Sequence, residues 1–114
     1  TPFYYYDVKL LQDTLDVVKT ESGKYGYHVH YAVKANANPR ILSIIAANGL
    51  GADCVSGGEV QAALDAGFPA DKIVFAGVGK AGWEINLGLI FSALTWNLPL
   101  SWESSMSWRP LKIK

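Results

Sequence analysis

Between residues 28 and 89 the chain switches repeatedly between two hydrophobic periods, one of two residues and one near four. His28-Val29-His30-Tyr31-Ala32-Val33-Lys34 alternates, which puts Val29, Tyr31 and Val33 on one face of a strand and Lys34 with His28, His30 and Ala32 on the other. Asn38-Pro39 then predicts a helix start, because Asn38 can cap and Pro39 suits the first turn. Ile41, Leu42, Ile44 and Ile45 form its apolar stripe, and Gly49 is placed to stop it. A second strand is expected over Ala52 to Val55. Ser56-Gly57-Gly58-Glu59 has capping-box spacing and opens a helix with Val60, Ala63 and Leu64 inward, ended by Gly67. Lys72 to Ala76 predicts a third strand, and Trp83 to Leu89 the start of a third helix. Strands spaced about 22 residues apart and separated by helices imply a parallel βαβ series, an α/β fold.

The two ends differ from this middle. Leu10, Leu11, Thr14, Leu15, Val17 and Val18 suit a further amphipathic helix, preceded by an extended aromatic segment, Thr1 to Asp7. From Ile90 onward neither period holds, and Trp96, Trp102 and Trp108 recur every six residues, which matches no regular element. All eleven glycines precede residue 90, and the charge changes sign there. The first 89 residues carry −2 (7 basic minus 9 acidic), and the last 25 carry +2 (3 basic minus 1 acidic). Two regions are therefore expected, a βα domain over 1–89 and an unrelated tail over 90–114.

Composition narrows the function classes. Half the residues are hydrophobic and the formal net charge is zero, which gives no reason to expect nucleic acid or an anionic membrane as partner. The stretch from Ile85 to Leu100 is too short to span a bilayer and carries Asn86 and Asn97. The lone Cys54 leaves no internal disulfide framework and fits a reducing, cytoplasmic setting.

Lys34 is the sharpest chemical candidate. A lysine at the C-terminal end of a strand, on the inward face of a barrel, can be desolvated enough to offer a free amine to a cofactor aldehyde. Taken alone, a strand-end lysine is more often a solvated edge charge. Glu59 reads locally as the capping partner of Ser56, and Asp53 as a polar residue at a strand end. Gly77-Val78-Gly79-Lys80 is not a nucleotide phosphate loop, since Val74 stands where that loop needs glycine and Ala81 where it needs Ser or Thr. His28 and His30 have chelating spacing but no evident third ligand, so no metal is expected.

Two strings carry a resemblance. Tyr31 to Asn36, YAVKAN, with Asn38-Pro39 following, resembles the cofactor-lysine motif of the fold-type-III pyridoxal-phosphate enzymes. Gly51 to Glu59, GADCVSGGE, is similar to the next strand of the diaminopimelate decarboxylases among them, more than to ornithine or arginine decarboxylases. The resemblance runs from Thr1 to about Leu89. It implies the first three βα units of a (β/α)8 barrel, pyridoxal 5'-phosphate as cofactor, and a family that works as a homodimer. Lys34 would be the catalytic, cofactor-bearing lysine and Asp53 a cofactor neighbour. Glu59 would help order the site, and Lys80 would be a lesser site residue in a glycine-rich turn. The reaction implied is decarboxylation of meso-2,6-diaminopimelate to L-lysine and CO2. Alternatives are another basic amino-acid decarboxylase, a non-catalytic pyridoxal-phosphate-binding module, and an interaction protein built on the tail.

The same resemblance implies that much is missing. The stacking histidine, the phosphate loop, the acidic partner of the pyridine nitrogen and the substrate-binding residues belong to later strands, and none has a counterpart in Ile90 to Lys114. A complete barrel of this type takes about 250 residues. The tail has a possible origin in its own codons. Trp96-Asn97 forces a Glu codon when the frame moves back one base. With permissible codons the stretch 90–100 then becomes DIFCFNVESAPE and 101–108 becomes LGKLNEL, close to the family's FNVES-x-x-EL. A one-base deletion near codon 90 is therefore expected, leaving a chain without activity.

Overall fold

The computed structural model describes residues 1–77 and 80–96, the last six of these as backbone only. The elements run α1 (Val8–Lys24), β1 (His30–Ala32), α2 (Pro39–Ala47), β2 (Gly51–Cys54), α3 (Gly57–Asp65), β3 (Ile73–Phe75) and α4 (Gly82–Trp96). The strands form one parallel sheet in the order β1-β2-β3, as the alternation of periods implies. Among the described residues, β1 and β3 each keep one edge without a strand partner.

The helices start and stop where the local chemistry places them. Asn38 Oδ1 accepts from the backbone N–H groups of Arg40 and Ile41, Ser56 Oγ from Glu59, and Asp7 from Leu10. Each such cap contributes about 1 kcal/mol. Gly49 and Gly67 follow α2 and α3 with φ of 84° and 97°, a conformation that costs other residues strain. The strands are shorter than the alternation suggests. β1 closes at Ala32, and Val33 to Ala35 form a single 3-10 turn, so Lys34 stands on a turn and not on the strand. Pairing sets this limit: the β1 register with β2 covers only His30 to Ala32 against Gly51 to Asp53.

Side-chain alternation across the sheet decides where the core sits. Ala52 and Cys54 of β2 and Ile73 and Phe75 of β3 are buried, in one layer with Val33, Leu42, Ile45, Val60, Ala63 and Phe68. Asp53 lies in register with Ala32 on one side and Val74 on the other, so these three share the opposite face. His30 and Gly51 pair on that face too, and a Cβ on Gly51 would stand 2.6 Å from the Lys72 carbonyl oxygen. Only glycine lets β2 pass between them.

Two expectations differ from the structure. Leu10 and Val17 belong to the expected α1 stripe, yet both are more than 60% exposed, and Leu15 alone is buried there. A helix resting on one layer buries only its contact line; α1 is tied down at that line by a reciprocal amide pair, Gln12 to Asn48 at the end of α2 (2.8 and 3.1 Å). The second difference is that α4 continues past Leu89 to Trp96. No Gly or Pro interrupts the chain between Gly88 and Pro99, and this mostly apolar run has too few polar residues to mark a distinct stripe. The rest of the tail, with Trp102 and Trp108, lies outside the described residues, as do Val78 and Gly79. No helix among the described residues is long and apolar enough to cross a membrane.

Candidate active site

A parallel sheet gathers the residues that follow its strands at one end, and three of the four candidates found by sequence lie there. Lys34 follows β1, Asp53 is the third residue of β2, and Lys80 follows β3. Glu59 joins them through the first turn of α3.

Lys34 is exposed, contrary to the desolvated setting expected for it. The reason is topological: an inward strand-end lysine is desolvated only when strands close around it, and here no strand flanks β1 on its outer edge among the described residues. The turn that carries it is nevertheless well determined. The Asn36 side chain accepts from Asn38 N–H (2.9 Å) and donates to the Tyr6 hydroxyl (3.2 Å), while its carbonyl accepts from the Tyr31 hydroxyl (3.2 Å). Burial pushes the Tyr31 phenol up, the Tyr6 phenol adds to this, and the bond to the Asn36 carbonyl partly offsets them. Sequence reasoning missed Tyr6 and Asn36 as a brace. The Asn-x-Asn-Pro spacing carried a signal for the turn, but nothing in the sequence pointed to Tyr6, thirty residues away.

The other described lysines all have partners. Lys9 pairs with Asp13 and Lys24 with Glu21, Lys19 reaches Asn48 Oδ1, Lys72 donates to Gly49 O, and Lys80 donates to Gly77 O. Among the described residues, Lys34 is the one lysine without a hydrogen bond or ion pair. Lys80 closes its own turn at 2.6 Å, and its ammonium sits 4.9 Å from the centre of the Phe75 ring.

Asp53 is half-buried, and its Oδ1 has no hydrogen-bond partner among the described residues. An acceptor left so in a folded protein costs about 1–3 kcal/mol and calls for an explanation. Glu59 behaves as a cap with one change. Its N–H donates to Ser56 Oγ as a capping box requires, but its carboxylate accepts from Val55 N–H (2.8 Å), one residue before the cap. Cys54, beneath this turn, is fully buried, and burial with the Glu59 and Asp53 carboxylates pushes its thiol up to about 12. At about pH 8 a thiol reagent should therefore leave Cys54 unmodified in the folded chain and react only after denaturation, followed by intact mass.

Glu84 was not singled out by sequence at all. Its Oε1 accepts from Gly57 N–H at the start of α3, and its Oε2 from Ala81 N–H at the start of α4, both at 2.8 Å. The Gly57 bond, then the Ala81 bond, hold its carboxyl below the usual glutamate range. The available signal was an acidic residue in the first turn after Gly82. No group of three or more His, Cys, Asp or Glu among the described residues could hold a metal.

Comparison with known proteins places this arrangement. A diaminopimelate decarboxylase of Bacteroides thetaiotaomicron is 66% identical over 86% of this chain, which covers 26% of that protein. The structure of the Helicobacter pylori diaminopimelate decarboxylase complexed with L-lysine superimposes with a TM-score of 0.72 at 45% identity, over 80% of this chain and 23% of that one. An arginine decarboxylase of Paramecium bursaria Chlorella virus matches with a TM-score of 0.62 at 24% identity over 69% of this chain and 21% of that one, a likeness of fold alone. The chain thus spans about a quarter of the length of the relatives it matches. The family model described as "Pyridoxal-dependent decarboxylase, pyridoxal binding domain" matches residues 10–90, and by that match the chain belongs to the pyridoxal-dependent decarboxylases.

Proposed function

We propose that the chain is the N-terminal part of a pyridoxal-phosphate-dependent diaminopimelate decarboxylase, forming the first three βα units of its (β/α)8 barrel. In the whole protein the substrate is meso-2,6-diaminopimelate and the products are L-lysine and CO2. It works in the cytoplasm as a homodimer, and these 114 residues are inactive by themselves. Another basic amino-acid decarboxylase is the weaker reading, because relatives 66% and 48% identical to this chain are named diaminopimelate decarboxylases.

One observation carries the site assignment: a lysine just after β1 and an aspartate oxygen near the end of β2, both without a partner among the described residues, lie at the same end of the sheet. This pair fits a pyridoxal group, which brings an aldehyde for the amine and donors for the acceptor. Lys34 would hold the cofactor and Asp53 would orient it, with Glu59 fixing the turn after β2 and Lys80 lining the rim. When bound, the cofactor supplies the electron sink for decarboxylation. The described residues offer no comparable holder for its phosphate.

The test is to incubate the chain with pyridoxal phosphate, reduce with borohydride and map the label. Lys34 should be labelled several-fold over Lys9, Lys19 and Lys24, since exposed pairs such as theirs hold an ammonium by up to about 1 kcal/mol. Affinity should stay on the order of millimolar, roughly 4 kcal/mol, with the phosphate unheld. Label spread evenly over the lysines would remove the site assignment.

We further propose that the tail from about residue 90 is read in a shifted frame. What supports this is the change of composition and charge together at about residue 90. Genomic DNA across codon 90 should resume a decarboxylase in the neighbouring frame; DNA with no such open frame would refute the shift.

A further inference from the structure

The first turn of α3 is held from outside its own βα unit. Of its early backbone donors, Glu59 N–H is satisfied within the unit by Ser56 Oγ, and Val55 N–H by the Glu59 carboxylate. Gly57 N–H is satisfied by Glu84, twenty-seven residues later on α4. The second oxygen of the same carboxylate takes Ala81 N–H, so one charged group joins the starts of two consecutive helices. The approach is close: a Cβ on the buried Gly57 would stand 2.6 Å from the Trp83 ring and 3.1 Å from Glu84 Cγ.

Val55 and Ser56 connect β2 to α3, which begins at Gly57, with Asp53 three residues before Ser56 and Glu59 two residues after Gly57. A displacement of Gly57 therefore moves the turn that follows Asp53 and leads into Glu59. We propose that Glu84 is a positioning residue: through its two bonds it sets the β2–α3 turn, and with it Asp53 and Glu59, from the neighbouring βα unit. That this turn serves a cofactor rests on the function proposed above. The positioning itself does not need the cofactor and is read without it.

Residue-resolved amide hydrogen exchange on the whole chain, without cofactor, tests this on Glu84→Gln and Glu84→Ala. A glutamine has one acceptor oxygen, so it can serve Gly57 or Ala81 but not both, and its NH2 group then opposes the other donor. Glu84→Gln should lose protection about tenfold or more at one of the two amides, and Glu84→Ala at both. In both variants protection should also fall at Val55 and Glu59, while Leu42 in α2 stays at its wild-type level. Three results would overturn the proposal. One is a change confined to Gly57 and Ala81, which makes the contact a local cap. The second is loss that includes Leu42, which makes it general destabilisation. The third is Glu84→Gln behaving as wild type at both amides. Borohydride trapping on the unmodified chain decides the cofactor reading separately, so the two can fail independently.

Discussion

Supplied with pyridoxal phosphate and meso-2,6-diaminopimelate, the 114 residues should release no measurable CO2 or lysine. The described site offers an amine at Lys34, an acceptor at Asp53 and structural groups at Glu59, Lys80 and Glu84, but no residue that would hold the cofactor phosphate or the substrate carboxylates. Groups that act as a unit in catalysis are strongly non-additive, so losing several removes nearly all of the rate enhancement. The exposure of Lys34 adds to this, because an open site keeps water around the charges it would need to control. A coupled assay for lysine over the uncatalysed background measures it. Turnover that disappears in Lys34→Ala would show that three βα units suffice, and the proposed inactivity would be wrong.

Phe75→Ala should cost about 3–5 kcal/mol and leave the chain largely unfolded in water. Phe75 is 1% exposed and is the largest fully buried side chain among the described residues. It packs from β3 into the helix-side core, meets α4 at Gly88, where a Cβ would lie 3.6 Å from the ring, and carries the Lys80 ammonium on its face. Truncation therefore opens a cavity between sheet and α4 and frees the Lys80 turn together. The neighbouring Val74, 40% exposed on the other face, is the control, and Val74→Ala should change stability by less than about 1 kcal/mol. Urea midpoints followed by far-UV circular dichroism compare the two. Equal midpoints would mean that β3 does not pack as described.

Much of the fold could be read from local patterns because the controlling interactions are local. Asn38, Ser56, Gly49 and Gly67 each act within a few residues, and they mark the ends of α2 and α3 where the structure has them. The alternation of periods sufficed for the parallel order, since short crossovers leave few other topologies. Strand lengths were less legible, because β1 ends where its pairing with β2 ends, and α4 outran its pattern because a mostly apolar helix shows no distinct stripe.

The site divides in the same way. YAVKAN and GADCVSGGE pointed, by resemblance, to the pyridoxal-dependent decarboxylase family that the comparisons show, and they supplied Lys34, Asp53 and Glu59 as candidates. Their surroundings were beyond the reach of any local reading. That Lys34 is exposed, that it and one buried oxygen of Asp53 lack partners among the described residues, and that Glu59 grips Val55 all depend on which strands pair and which edges stay open. The Tyr6 brace on Asn36 and the Glu84 clamp on Gly57 join residues thirty and twenty-seven positions apart. Sequence alone determined the order of the elements and the candidate groups, because propensity, capping and motif act over a few residues. Tertiary structure alone decided their burial and their partners, because both are properties of the space between elements.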